Sequence, residues 1–432
     1  MRGATVVAAA LALGVLVLGV YDRPVAPDRP GVTSVSFSFW GTFAELATWR
    51  RVAAAFEAAH PGTAVRLEWW PERYHGKSQR ALASGAPPDV MLLQDEPFRR
   101  FCAAGRVRDL TPLAAANPLF AADRFDTTAV ESFRYRGRRY GMPVFGGPIV
   151  VFYNKDLFDL AGVPYPPDDW TWDEFLDTCR RLTRDTDGDG ETDTFGVNIV
   201  KWWVFWLPWV WSSGGSLMDE ARTRCVLDTP EAVRGLTFYR DLKWKHHVAP
   251  QPGEFHQMGQ DMMFLTDRVA MLLTGAYKMP LLRNTAKRWD VAHMPVGPAG
   301  RVTRVTWDCL AIPTDAARPD AAWAFIRFVT GPEGQQILAR AGRSLPARIA
   351  SQADFVRPET PQREEVFVEA LRYARMQPLN EHWQAMHQIV FKDSDRMLLS
   401  DAESGLSPAA FARSVTVEVN DLLERERRKQ KP

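Results

Sequence analysis

Hydrophobic and polar positions alternate along Thr33–Trp40, with Val35, Phe37 and Phe39 on one face, and this pattern predicts a strand. Gly41-Thr42 interrupts it. Leu46, Trp49, Ala53 and Phe56 then recur at helical spacing, which predicts an amphipathic helix over 44–59, ended by His60-Pro61-Gly62. Val65, Leu67 and Trp69 alternate in a second strand, and 74–84 reads as a helix closed by Gly85 and Pro87-Pro88. Val90–Leu93 is a short solid apolar run, as in a parallel strand buried on both faces, and a helix over Pro97–Ala104 follows. The β-α-β-α-β order predicts an α/β fold, an open parallel sheet with helices on both faces. Ligands of such sheets bind beyond the carboxyl ends of the strands. Those ends are Trp40, Gly41 and Thr42, then Trp70, then Gln94, Asp95 and Glu96.

Further along, Tyr135–Tyr140 reads as a hairpin turning at Arg136-Gly137, and Ile149–Tyr153 as an apolar strand. Thr171-Trp172-Asp173-Glu174 is a capping box that starts a helix running to about Arg184. Lys201–Gly215, KWWVFWLPWVWSSGG, holds Trp202, Trp203, Trp206, Trp209 and Trp211. Each indole brings a large flat apolar face. Two readings are open: core packing of a helix–turn segment, or stacking on a flat ligand. Trp206, Trp209 and Trp211 are the candidates for the ligand, and Trp202 and Trp203 for packing or the rim. Pro208 interrupts the helical spacing on which that division rests.

Composition adds bounds. The chain has 432 residues, 46% hydrophobic and 24% charged, enough for two domains with cores. Lys plus Arg number 53 and Asp plus Glu 52, so the net charge of +1 gives no reason to expect nucleic acid or an anionic membrane surface as partner. The basic run Arg425–Lys431 reads as a solvated tail. At the other end, Arg2 precedes an uncharged apolar run, Ala4–Val20, followed by Pro24, Pro27 and Pro30. This is the anatomy of a secretory signal or a short membrane anchor; both stay open, since no A-x-A cleavage site is clear, and an extracytoplasmic chain is expected either way. Cys102, Cys179, Cys225 and Cys309 form no metal spacing, and Cys102 and Cys179 fall in predicted helices as buried thiols.

Five segments in order carry a resemblance: ALASGAPPDVMLLQDEPFRRFCAAGRVRDLTPL (81–113), YRGRRYGMPV (135–144), VVFYNKDLFDLAGVPYPPDDWTWDEF (150–175), GAYKMPL (275–281) and AIPTDAARPDAAWAFIRFVTGPEGQQILARAGRSLPAR (311–348). Together with the tryptophan run they span about 33–395 and resemble the bacterial extracellular solute-binding proteins of sugar ABC importers, the group containing maltose-binding protein. The resemblance implies a type II periplasmic-binding-protein fold of two α/β lobes with the ligand between them. It places 33–143 with 303–348 in the first lobe and 144–302 with 349–425 in the second, leaving 1–31 as leader or anchor and 426–432 as tail. Hinge crossings fall near Met142–Phe145 and Val302–Thr306. It also implies a sugar or oligosaccharide ligand, ABC permease subunits as partners, a monomer and no catalysis.

The same resemblance puts Gly275 and Tyr277 against the ligand and returns Trp383 to the cleft from a C-terminal helix. Many relatives carry Gly-Gly where this chain has Trp307-Asp308, so this pair is expected to narrow the cleft or set specificity. Glu45, Asp95, Glu96 and Asp308 would accept hydrogen bonds from sugar hydroxyls. A glycan-active enzyme, which would use paired carboxylates, and a tethered sensor acting through a membrane partner are the alternatives. Arg73 and Arg343 would be the candidates for an anionic ligand. No His-Glu-x-x-His, Gly-x-Ser-x-Gly or phosphate-loop motif occurs. Apart from the cleft, Asp185, Asp187, Asp189, Glu191 and Asp193 have the spacing of a calcium loop with Gly190 at position 6, but position 12 is Gly196 where such loops carry Glu. A structural calcium site and a plain acidic turn are both open; no other cofactor is expected.

Overall fold

A computed structural model describes residues 31–251, 258–357, 361–398 and 405–429. The leader or anchor expected at the N-terminus lies outside these residues. Among them no helix is long and apolar enough to cross a membrane.

The strands that build the site are β1 (Thr33–Phe39), β2 (Thr63–Trp69), β3 (Val90–Gln94), β4 (Met142–Asn154), β5 (Phe195–Val197), β6 (Val269–Gly275), β7 (Trp289–Ala292) and β8 (Thr303–Ala311). The helices that matter here are α1 (Phe43–Ala59), α2 (Tyr74–Ala83), α3 (Asp95–Ala103), α4 (Trp172–Leu182), α5 (Trp203–Ser212), α6 (Pro230–Trp244), α7 (Trp383–Leu398) and α8 (Pro408–Lys429). The alternation read in 33–104 thus becomes β1-α1-β2-α2-β3-α3, with β1 parallel to both β2 and β3. The strands are apolar inward, and α1 buries Leu46, Trp49, Val52, Ala53 and Phe56 against them.

The sheet order is β2-β1-β3-β8-β4-β6-β5, with β7 also on β4. β4 and β8 run antiparallel, and β4 is long enough to serve two sheets. Its first half pairs with β8, from Met142↔Leu310 to Pro148↔Val305, and its second half pairs with β6 and β7. On either side of this junction lie separate cores. One joins Val35–Phe145 to Val305–Ala347; the other joins Ile149–Val302 to Leu379–Leu423. A third apolar cluster covers the opposite face of the second sheet with Phe355, Val366 and Phe367. One strand departs from the expected division: Ala374–Met376 pairs with Thr303–Val305 of β8 and so joins the first sheet, although 349–425 was assigned to the second lobe. The basic tail also begins later than expected, because α8 continues through Lys429, with Glu424–Arg428 and Glu426–Lys429 ion pairs along its last turns.

Both expected end signals of α4 are present: Thr171 and Glu174 form the reciprocal capping box. Thr42 and Glu45 form a second one at the start of α1. All four cysteines are buried and free.

The tryptophan run resolves in favour of packing for the three rings assigned to the ligand. Every residue of α5 is buried, which is why no amphipathic period shows in its sequence. Trp209 lies 5.2–5.4 Å, centroid to centroid, from Trp172, Phe175 and Phe238. Trp206 meets Phe411 of α8 edge-on at 6.0 Å, and Trp211 is 4% exposed in the same core. Trp203 packs edge-on against Trp383 at 4.8 Å. Trp202 precedes α5 and is 43% exposed. Truncating Trp209 to Ala is therefore expected to lower unfolding free energy by about 3–5 kcal/mol, and Trp202→Ala to change it by less than about 1 kcal/mol; urea titration of the two variants checks the contrast.

Candidate functional site

Between the two large cores the surface folds into a cleft whose floor is the β4–β8 pair. Its central cavity, about 280 Å³, is lined from the first lobe by Gln94, Asp95, Glu96, Thr306 and Asp308, and from the second by Ile149, Trp202, Val204, Phe205, Gly275, Ala276 and Tyr277. Gly146-Gly147, Arg304, Arg343 and Ser344 complete the wall. A flanking cavity of about 300 Å³ shares Tyr277, Arg343 and Ser344 with it and adds Trp40, Thr42, Glu45 and Phe145. A second, of about 320 Å³, shares Glu96 and adds His75, Arg100, Trp383 and His387. The shared walls place the three side by side along the groove between the lobes.

Local sequence explains the floor. Gly146 faces Trp307 across the strand pair, and a Cβ there would lie 2.1 Å from the Thr306 carbonyl oxygen, so only glycine lets β4 and β8 approach this closely. Asp308 pairs with Gln94 at the end of β3, which brings it beside Asp95 and Glu96 in the first turn of α3. The Tyr277 ring folds back over Gly275, where a Cβ would lie 2.8 Å from it, and Tyr277 accepts a hydrogen bond from the Thr274 hydroxyl at 3.0 Å.

Burial dominates the electrostatics. Asp95 is 1% exposed. Its Oδ1 accepts hydrogen bonds from the Thr306 hydroxyl at 3.2 Å and the Gln377 amide at 3.1 Å, while Oδ2 has no partner. Desolvation raises the Asp95 carboxyl to about 7 against the pull of Arg304, and raises Asp308 to about 8 against the pull of Arg343. Glu96 is raised for the same reason. Arg304 gives two hydrogen bonds to Gln377 Oε1 and lies over the Trp203 ring. Arg343 is ion-paired with Glu45 and is therefore not a free anion receptor; Arg73 is exposed outside the groove.

Of the residues expected at the site, Trp40, Thr42, Glu45, Gln94, Asp95, Glu96, Gly275, Tyr277, Asp308 and Trp383 line the groove. Thr42 and Glu45 do so while capping α1. Trp206, Trp209 and Trp211 do not line it: α5 reaches the cavity through Val204 and Phe205, and these three indoles pack into the second core. Nor does Trp307, which points into the first core and donates its indole N–H to the Thr128 hydroxyl at 2.9 Å; it does not narrow the cleft. Trp70 packs on Tyr74, and Gly41 accepts a hydrogen bond from Trp69. Trp202, read as packing or rim, lies on the cavity wall, and the sequence pattern did not single out Phe205, Gly146, Gly147, Arg304, Thr306 and Ser344. The Gly-Gly pair inside an apolar strand was the available signal for a close backbone approach.

In the acidic loop, Asp185, Asp187 and Asp193 bring carboxylate oxygens within 4.8 Å of one another, but Asp189 and Glu191 stay outside the cluster. Asp185 accepts from the Gly188 and Gly190 amides, and Asp193 from Thr186 while paired with Arg268. Position 12, Gly196, is buried in β5. Three carboxylates can hold a hard cation only if water or other oxygens complete its shell, and the same carboxylates already satisfy the turn's own N–H groups.

A family model described as bacterial extracellular solute-binding protein matches residues 40–336, and the chain belongs to this family. The fold is the two-lobed α/β fold of type II binding proteins. An ABC substrate-binding protein of Listeria monocytogenes, solved in complex with cycloalternan, superposes with a TM-score of 0.82 at 23% identity, covering 91% of this chain and 99% of that one. The GacH receptor of Streptomyces glaucescens, solved unliganded and with acarbose, gives 0.77 at 23% identity over 91% and 99%. By sequence, the diacetylchitobiose binding protein DasA of Streptomyces coelicolor is 24% identical over 388 residues, 86% of this chain and 85% of that one. A putative binding protein of Brucella abortus is 25% identical over 292 residues, 64% and 67%.

The raised carboxyls set a pH dependence. Free Asp titrates near 3.8, so between there and about 7 to 8 the folded chain holds protons that the unfolded chain has lost. The unfolded state then binds fewer protons, and stability falls as pH rises through this window. Histidines lowered by desolvation act in the opposite direction, so the contribution of the acids is read by difference. In chemical denaturation of the ligand-free protein from pH 5 to pH 8, Asp95→Asn and Asp308→Asn are each expected to gain stability relative to wild type as pH rises.

Proposed function

We propose that the protein is the substrate-binding component of an ABC importer, capturing a saccharide between its lobes and presenting the closed form to a membrane permease. The observation that carries this reading is the make-up of the groove. Aromatic faces (Trp202, Tyr277, Trp40) alternate with buried polar groups, and one of those, Asp95 Oδ2, lacks a partner. A sugar ring offers an apolar face to stack and hydroxyls that must keep hydrogen bonds once desolvated. The saccharides named for the Listeria and Streptomyces relatives support the same class of ligand. Residues of both lobes line one cavity, so a ligand touching both walls favours the closed form over the open one.

In this reading the carboxyls hold the ligand and do not turn it over, and the chain works as a monomer outside the cytoplasmic membrane, either secreted or tethered by its N-terminal apolar run. A reducing-sugar assay on purified protein with a glycan panel separates this from glycan hydrolysis: turnover would overturn the binding role. A thermal-shift screen over neutral pentoses, hexoses and oligosaccharides, followed by calorimetry, identifies the ligand. For that ligand, the double variant Trp202→Ala, Tyr277→Ala is expected to lose at least about tenfold in affinity, about 1.4 kcal/mol. Trp209→Phe, a change in the core behind the cleft wall, is expected to leave affinity within about twofold of wild type, a difference well under 1 kcal/mol. Unchanged binding in the double variant would remove these two rings from the site.

A further inference from the structure

The groove carries more carboxyl groups than its own cations neutralise. We propose that its ligand is a cationic amino sugar, free or within an oligosaccharide, whose ammonium group sits between Asp95 and Asp308. This rests on the saccharide reading above and narrows it.

The argument begins with charge. Glu45, Asp95, Glu96 and Asp308 line the central cavity and the one that shares Tyr277 with it, against Arg304 and Arg343; in the third cavity Arg100 is matched by Glu381. Arg343 is committed to Glu45 by their ion pair and lies over the Phe145 ring. That leaves Arg304 alone to face three carboxyls, and its guanidinium is already engaged by Gln377 Oε1 through two hydrogen bonds, at 3.1 and 2.9 Å. Among the described residues, neither Asp95 nor Asp308 forms an ion pair with any cation.

Geometry narrows the place. Asp308 lies opposite Gln94 in the β3–β8 pairing, next to Asp95 in the chain turn that follows. Both acids line the central cavity, and Asp95 Oδ2 is buried without a hydrogen-bond partner. Arg99 of α3 also feels the Asp95 charge but makes no ion pair with it, and the remaining groups packed around the two acids supply no positive charge. Tyr74, from α2, is buried and donates its hydroxyl to backbone oxygens; Cys309 is a buried thiol behind Asp308; Thr306 and Gln377 are neutral. Glu96 adds to the negative side.

An isolated carboxylate in a buried wall is costly to keep charged, and the group responds by holding a proton. Both acids do so, Asp95 up to about 7 and Asp308 up to about 8. A neutral hydroxyl could fill the open position at Oδ2 but would leave this charge state unchanged. An ammonium supplies three donors and a positive charge at once. Its entry lets the carboxyls ionise, so each acid that was neutral releases its proton to solvent as the amine takes its place.

Titration calorimetry at pH 6.5 tests this with matched pairs that differ by one amine: glucose and glucosamine, galactose and galactosamine, cellobiose and fully deacetylated chitobiose, with N-acetylated chitobiose as a third member. The amine of at least one pair is expected to bind at least about tenfold more tightly than its hydroxyl partner. Proton release should accompany it, read as an enthalpy that varies with the ionisation enthalpy of the buffer. In the Asp95→Asn, Asp308→Asn variant the proton release should disappear and the ratio fall to within about twofold. Hydroxyl or acetamide members that bind as tightly as the amine, or tighter, overturn the amino-sugar inference and leave the saccharide reading intact. Failure of every saccharide here and in the wider thermal-shift panel removes both.

Discussion

The structure depends on the side-by-side pairing of β4 and β8. β4 runs from one large core into the other, with Met142, Val144 and Phe145 in the first and Ile149, Val151 and Tyr153 in the second, while β8 lies alongside it and packs Val305–Ala311 into the first. Their close approach requires glycine at 146, because any Cβ there would collide with the backbone of its partner. From this follow the cleft floor and the position of Arg304 beside Trp203 of the second lobe. A ligand in the groove therefore sits on the same backbone that must flex if the lobes move. Binding and closure share one element here, with no separate relay needed between site and hinge.

The second constraint is the completely buried helix α5. Its ten residues fill the second lobe from inside, packed by α4, α6 and α8. The segment just before it, freed from that packing, carries Trp202 to the cavity wall. Trp202 sits at the N-cap of a packed helix, so its backbone is anchored while its ring stays half exposed at the cavity wall.

Much of the first lobe was legible because its elements obey clear periods. Val35-Phe37-Phe39 alternate, Leu46-Trp49-Ala53-Phe56 recur at helical spacing, and the strand ends supplied Gln94, Asp95 and Glu96 directly. The second lobe was less so. A helix apolar on all sides has no phase, so nothing in the run from Trp202 to Trp211 says where burial ends and exposure begins. The three rings that the spacing points to, Trp206, Trp209 and Trp211, are therefore ones that the fold buries. Trp307 misled for a related reason: alternation along β8 puts Trp307 and Asp308 on opposite faces, so of two adjacent residues only Asp308 could reach the cleft. Arg304, Thr306 and Ser344 enter the site through strand pairing between segments far apart in sequence, a relation that local pattern does not encode.

The charge state of the groove links these observations. A site that only stacked sugar rings would need aromatic faces and hydroxyl-matched polar groups, and any buried acid would be balanced by a neighbouring base, as Glu45 is by Arg343. Asp95 and Asp308 are not balanced. They sit together only because β3 and β8 are neighbours in the sheet, so the fold itself holds two like-charged groups close within a desolvated wall. In the ligand-free protein protonation relieves that conflict, at the expense of stability as pH rises. A positively charged ligand would relieve it differently, by converting an internal repulsion into an attraction. The acids that weaken the empty cleft are then the groups that favour its filled state, which is how a binding protein can gain selectivity without adding contacts.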